Sequence, residues 1–469
     1  MQRHFYKLVS LLVLAVLCGC TAEATFSVNG VQFYKKQRER DTELQQLNDR
    51  HASKKEQLRE AKKSGSGVSE MERDLRDMER EITSLSTAVD QFRSKHVADI
   101  SDILVGLFGT PDEPAFPQLG FDDVIDTDLL VDAAGPVRSD QFGNSQGLYR
   151  EHCAHCHGTT GDGRGPTAEF LNPYPRDYRM GLFKFKTTSG ENPPTHDDLK
   201  YIIAEGISDT AMPAFKLLSD VELDALVNYV KYLSIRGQVE RTLMDELSNL
   251  DDITDENARL INVGAKNTEQ SQEQFDSKIA NITAIVTDVA SRWADASEKI
   301  IPVPARPWKE GEANVSRSWG DAEDASPIEY GRSLFYGNVL KCTQCHGLTA
   351  LGDGELGNYD KWTDDWSKDI GIKIADRRDV VDEFVAAGAL PPRTIQPRNL
   401  RQGFYRGGHR PMDLYLRIKN GITGTPMPAV VATVEDEQIW AVVEYVRSLP
   451  YETISRPEHM NENTRRPGF

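Results

Sequence analysis

Four of the six cysteines in this 469-residue sequence fall into two identically spaced groups, each closed by a histidine. Cys153-Ala154-His155-Cys156-His157 and Cys342-Thr343-Gln344-Cys345-His346 both read C-x-x-C-H. Two thiols separated by two residues reach the two vinyl groups of one porphyrin as thioethers. The next residue, His157 or His346, then lies under the ring with its imidazole toward the iron. This is the attachment pattern of c-type haem. The alternative is a dithiol or zinc site that happens to precede His, and zinc would want a third and fourth Cys or His nearby in a repeated arrangement. The sequence offers none.

The iron's second axial position calls for a soft or imidazole ligand. Gly206-Ile-Ser-Asp-Thr-Ala-Met212-Pro213 and Gly421-Ile-Thr-Gly-Thr-Pro-Met427-Pro428 each place Met six residues after Gly and directly before Pro, in a loop that cannot be helical. A lone Met is usually core filler. Two in matched positions downstream of matched haem motifs read as ligands, so Met212 and Met427 are expected on the irons, with His196 and His409 as the other imidazoles to consider. His/Met ligation raises the reduction potential and leaves no open position for substrate.

The match between the two segments extends past the ligands. Pro175-Arg-Asp-Tyr-Arg-Met-Gly-Leu-Phe-Lys184 aligns with Pro397-Arg-Asn-Leu-Arg-Gln-Gly-Phe-Tyr-Arg406, and Asp198–Gly206 with Asp413–Gly421. Amphipathic helices are expected at Asp220–Leu233 and Glu435–Leu449, each carrying Tyr-Val-(Lys/Arg)-x-Leu near its end. Duplicated domains are the economical explanation. Helix, C-x-x-C-H, loop, helix, Met loop and closing helix resembles the class I cytochrome c domain. The resemblance covers about half the chain, residues ~141–235 and ~325–452. It implies a mainly α fold, two covalent haem c groups, and first and last helices crossing at a Gly/aromatic contact. Gly147 or Tyr149 with Tyr229, and Gly331 or Phe335 with Tyr445, are the candidates. It also implies that the ligating His donates its other N–H to a backbone carbonyl, often that of a Pro. Pro166 suits this in the first domain; no Pro follows His346 at a comparable distance. Arg176, Arg179, Arg398 and Arg401, fixed in the repeat, are candidates to pair with haem propionates or are surface arginines.

The N-terminus reads as an export signal, with Arg3 and Lys7 before the apolar run Leu8–Leu17. Leu17-Cys18-Gly19-Cys20 resembles the bacterial lipobox, which implies removal of residues 1–20 as a signal and lipidation at Cys20, the first mature residue. Anchoring to the periplasmic face of a membrane follows; plain cleavage and release is the alternative. With two Cys at the lipobox and four at the haems, every thiol has a use. Apolar content of 39% and charged content of 27% describe an ordinary globular composition. A net charge of −18 argues against nucleic acid as a partner.

Residues 21–140 are expected to form a helical hairpin and a Pro- and Asp-rich linker. Met71, Leu75, Met78, Ile82, Leu85, Val89 and Phe92 alternate four and three apart, a heptad seam. Leu44, Leu47 and Leu58 make a weaker stripe, and Ser64–Gly67 separates the two. Residues 236–324 hold a second helical segment (Phe275, Ile279, Ile282, Val286, Val289, Trp293) and a Pro-rich linker. The first closing helix is expected to run on through Val239, Leu243 and Leu250. A 355–395 insertion bearing Trp362 and Trp366 distinguishes the second haem domain, and 453–469 is a tail. The hairpins either cover the haem domains, pack with each other into a bundle, or present a stalk that docks another subunit or a second copy.

These readings point to a membrane-anchored dihaem electron carrier, serving redox partner proteins and possibly a respiratory complex, with no catalytic residue assigned. A dihaem oxidoreductase of the cytochrome c peroxidase-like type is the alternative enzyme reading, and it needs one iron that can open. A haem-based sensor would need an output domain, which the sequence does not offer.

Overall fold

The computed structural model describes residues 24–64, 68–119, 124–246, 260–261, 269–320, 322–367, 374 and 378–458. Cys20 and the signal segment lie outside them. The chain opens with two long helices, α1 (Gly30–Ser64) and α2 (Val68–Phe108). Their ion pairs run Lys62–Glu72, Lys54–Asp74 and His51–Glu79, so partner numbers rise as the first numbers fall and the helices are antiparallel. Leu47 and Leu75 of the expected stripes are buried between them; the side chains of Val89 and Phe92 are outside the described set. The far end of α2 buries Ile100, Ile103, Leu104 and Phe108 in the core of the first haem domain. The chain before α1 is pinned there too: Ala24 N donates to Asp112 Oδ2 (2.8 Å) and Asn29 N to Glu240 Oε1 (2.5 Å). The hairpin is therefore rooted in the haem domain at its base.

The stretch expected as irregular linker contains one more helix, α3 (Thr127–Ala133). Asp126 caps it, accepting from the backbone N–H groups of Asp128 and Leu129, and Leu130 and Ala133 enter the core. A short antiparallel pair, β1 (Arg138–Ser139) and β2 (Ser145–Gln146), leads into α4 (Leu148–His152), α5 (Ala154–His157), α6 (His196–Glu205) and α7 (Asp220–Glu246). The last runs well past Leu233, with Val239 and Leu243 buried; Leu250 lies outside the described residues. Helix α7 is buried on nearly every face because α2, α3 and α8 (Glu269–Ala294) pack around it. On α8, Ile282, Val286, Val289 and Trp293 are buried, while Ile279 is exposed. Trp293 Nε1 donates to Gln238 Oε1 of α7 at 2.8 Å. This helical segment covers the first haem domain.

The second haem domain follows a two-stranded hairpin, β3 (Arg317–Trp319) and β4 (Ala322–Ala325). Its helices are α9 (Pro327–Tyr336), α10 (Cys342–His346), α11 (Lys361–Ser367), α12 (Arg378–Ala386), α13 (Pro411–Asn420), α14 (Asp436–Ser448) and α15 (Glu452–Ser455). A Ser326/Glu329 capping box starts α9. Helices α9 and α14 cross at Gly331, where a Cβ would lie 2.0 Å from the Ala441 carbonyl oxygen, and Phe335 meets Tyr445 at 5.3 Å between ring centroids. In the first domain the crossing is Tyr149 on Tyr229, at 4.7 Å. Gly147 plays no part in it: it caps α4 at φ 75°, with no room for a Cβ beside the Pro136 carbonyl. In the insertion, Trp366 stacks on Phe384 at 4.5 Å and packs with Val31 of α1 and Val380 of α12, so this aromatic is core. Among the described residues, no helix is long and apolar enough to cross a membrane.

Candidate haem sites

Each C-x-x-C-H segment is one helical turn closed by a glycine-rich loop that folds back on it. Gly163 N donates to the His157 carbonyl (2.8 Å) and Gly165 N to that of Cys156 (3.0 Å); Gly352 and Gly354 repeat this on His346 (2.9 Å) and Cys345 (3.2 Å). A Cβ on Gly165 would fall 2.4 Å from the His155 oxygen, and one on Gly354 2.3 Å from that of Gln344, so only glycine allows the approach.

His157 Nδ1 lies 3.1 Å from the carbonyl oxygen of Arg176, and His346 Nδ1 lies 3.1 Å from that of Arg398. A carbonyl only accepts, so Nδ1 carries the proton and Nε2 keeps its lone pair, the form an iron ligand needs. Burial favours the same neutral state, pushing His157 down to about 4 and lowering His346. The expected partner Pro166 is displaced from this role. Thr167 N donates to the His155 carbonyl, so the 165–167 segment lies along the C-x-x-C turn. The acceptor comes instead from the Pro-Arg segment present in both repeats, which also supplies the partner left unknown for His346.

The Met loops are built alike. Ile207 N donates to the Met212 carbonyl (3.1 Å) and Met212 N to Thr210 Oγ1 (3.1 Å); Ile422, Met427 and Thr425 repeat this at 3.1 and 3.2 Å. Gly206 and Gly421 sit at φ 67° and 68°, and a Cβ on either would strike the Pro213 or Pro428 backbone at 2.6 or 2.5 Å. Glycine and the Met-Pro step thus shape one loop together.

One cavity of the first domain is lined by Cys153, Cys156, His157 and Met212, with Leu199, Ile203, Phe215 and Val230 among its apolar walls. Both thiols, the imidazole and the thioether therefore converge, and the donor set fits a haem c: apolar walls for the ring and cations for its carboxylates. Burial pushes the Cys153 and Cys342 thiols up to about 12, so both are neutral in the apoprotein. His196 is elsewhere, with Nε2 2.9 Å from Asp224, and His409 is exposed.

Of the four repeated arginines, Arg176 lines the first cavity. Arg179 is tied in a buried pair to Asp177 (2.9 Å), Arg401 pairs with Glu452, and Arg398 with Asp209 of the first Met loop. Three further residues at the first site were not singled out from sequence. Tyr178 stacks on His157 at 4.6 Å and 17°, where the second repeat has Leu400. Lys184 and Arg406 also line the first cavity, the latter from the second domain. The Tyr/Leu difference was visible in the repeat alignment; the reach of Arg406 across the domain boundary was not.

Residues 141–230 match the family described as cytochrome c oxidase, cbb3-type, subunit III, and residues 328–450 match the family cytochrome c. The chain carries two c-type cytochrome domains in tandem. Two covalent haem c groups follow for this dihaem cytochrome, and with them haem-based electron transfer. No curated protein matches the chain. Among solved structures, a chain of the Kuenenia stuttgartiensis reducing HAO-like protein complex Kustc0457/Kustc0458 is similar at 21% identity. That likeness covers 66% of this chain and 97% of that one, with a TM-score of 0.38, too low to bear on fold or function.

Proposed function

We propose that this dihaem cytochrome transfers single electrons with both irons closed, His157 and Met212 on the first, His346 and Met427 on the second. The observation that carries the reading is the twin Met loops, alike in hydrogen bonding, glycine conformation and Met-Pro step. Bound haem c supplies a one-electron iron couple. The chain's residues supply the rest: four cysteines for the thioethers, two imidazoles fixed as Nδ1–H tautomers, two thioether sulfurs, and apolar walls at the first site.

The chain is proposed to be exported and lipidated at Cys20. Ala24, the first described residue, is hydrogen-bonded to Asp112, which pairs with Arg150 of the first haem domain. Four residues of tether reach at most about 14 Å, which would hold the folded body against the membrane face. Redox proteins at that face, including respiratory complexes, are the proposed partners. The test is reduction of the purified holoprotein under carbon monoxide. Two closed irons give the same reduced Soret spectrum with and without carbon monoxide, whereas prompt binding at one haem would support a dihaem oxidoreductase instead.

A further inference from the structure

The cavity of the first haem carries more positive charge than its own domain provides. Arg176 and Lys184 line it from the first domain, and Arg406 lines it from the second. The carboxylates facing these cations are few. Lys184 is pushed down to about 7 by burial, with Arg176 and Arg406 adding to the effect and Asp360 opposing it. Arg406 bonds Asp209 Oδ2 at 3.2 Å, but Arg398 already holds that carboxylate, and Arg406 Nε is buried without a partner. Crowded, desolvated cations around one cavity call for an anion inside it. The repeat adds a reason for the geometry. Arg398 reaches Asp209 on the first Met loop, and its counterpart Arg176 points its Nη1 to within 3.9 Å of where a Cβ would stand on Gly424, the residue of the second Met loop matching Asp209. The two domains thus face each other through their Pro-Arg segments and Met loops.

We propose that the second cytochrome domain completes the first haem's site, with Arg406 joining Arg176 and Lys184 to hold that haem's propionates across the domain boundary. The inference rests on the two-haem reading above. Arg406 is then a positioning and charge-compensating residue for a haem its own domain does not bind. A cation near a haem favours the reduced form, which carries one positive charge less on iron. Removing it lowers the potential, and removing a neighbouring anion raises it.

The test is a spectroelectrochemical titration of the full-length holoprotein with Arg406→Gln, Arg406→Lys and Asp209→Asn. The first haem's step is assigned by proton contacts between His157 and the stacked Tyr178. Arg406→Gln should raise the first haem's oxidised-to-reduced ratio at fixed potential about tenfold, a fall of about 59 mV for one electron. Arg406→Lys should restore most of this, and Asp209→Asn should shift the same step upward. The two neutralising variants break the same ion pair, so a role confined to domain packing would move the step in one direction for both, and that result overturns the proposal. A step that stays put, or a shift confined to the second haem, overturns it equally. A haemochrome assay giving fewer than two haems per chain would instead refute the two-haem reading itself.

Discussion

Gly331 is where the second haem domain has least room. Helices α9 and α14 meet there so closely that a Cβ would stand 2.0 Å from the Ala441 carbonyl oxygen and 3.0 Å from Tyr445 Cβ, well inside the 3.4 Å at which ordinary contact begins. The obstruction is helix backbone, which cannot rotate away as a side chain can, so Gly331→Ala must push the helices apart. Overpacking of this kind costs about 1–3 kcal/mol. Loosening the Phe335–Tyr445 pair adds roughly 0.5–1.5 kcal/mol. Against this, alanine gains about 1 kcal/mol of helix propensity. The net is a loss of about 0.5–3.5 kcal/mol, or about 2–14 °C in the second domain's melting temperature at roughly 4 °C per kcal/mol. Calorimetry of the holoprotein reads this, with Gly106→Ala as the matched control. Gly106 is on α2 with nothing within 4 Å of its would-be Cβ, and its substitution should stabilise by up to about 1 kcal/mol. A Gly331→Ala protein melting at or above the parent would refute the close crossing.

Met212→Ala and Met427→Ala should each lower one haem's potential, open one iron and admit carbon monoxide at that iron only, as a single-haem Soret shift would record. Asp177→Asn strands Arg179, which lies beside Gly237 and, among the described residues, is ion-paired to Asp177, and should cost about 3–5 kcal/mol in denaturant melts. Lys231 is pushed down to about 8 by burial, opposed by Asp197 and Asp224, so the folded state sheds its proton before the unfolded chain does. Its penalty is therefore full below pH 8 and is relieved as pH rises toward 10.5; Lys231→Met should stabilise at pH 7 by roughly 1–3 kcal/mol and flatten that alkaline rise in a pH series of melts.

The two C-x-x-C-H turns were legible because haem attachment demands fixed types at fixed spacing, and duplication drew attention to the Met loops by showing each twice. The Tyr445 crossing partner was legible for the same reason. Other features depended on relations between distant segments, which a single sequence does not display. The His157 acceptor is a backbone carbonyl, and any residue supplies one, so Pro166 was as reasonable as Arg176 until the loop's path was seen. Gly147 sits near the haem motif as a helix-crossing glycine might, but its φ of 75° serves a cap. The segment expected as an amphipathic closing helix is α7, buried on nearly all sides, because α2 and α8 cover the faces that a lone haem domain would leave in water. Helix α3 was hidden in a Pro- and Asp-rich stretch, although Asp126 before Thr-Asp-Leu-Leu is a cap signal. The sequence alone shows Trp366 only as an aromatic in the insertion; its stacking partner Phe384, eighteen residues on, makes it core.

The most direct test of closed double His/Met coordination is the absorption spectrum of the holoprotein, oxidised and then reduced under carbon monoxide. The account predicts a methionine-to-iron charge-transfer band worth two haems in the oxidised state and no carbon monoxide complex at either iron after reduction. A band worth one haem or none, together with a prompt carbon monoxide complex, would contradict it.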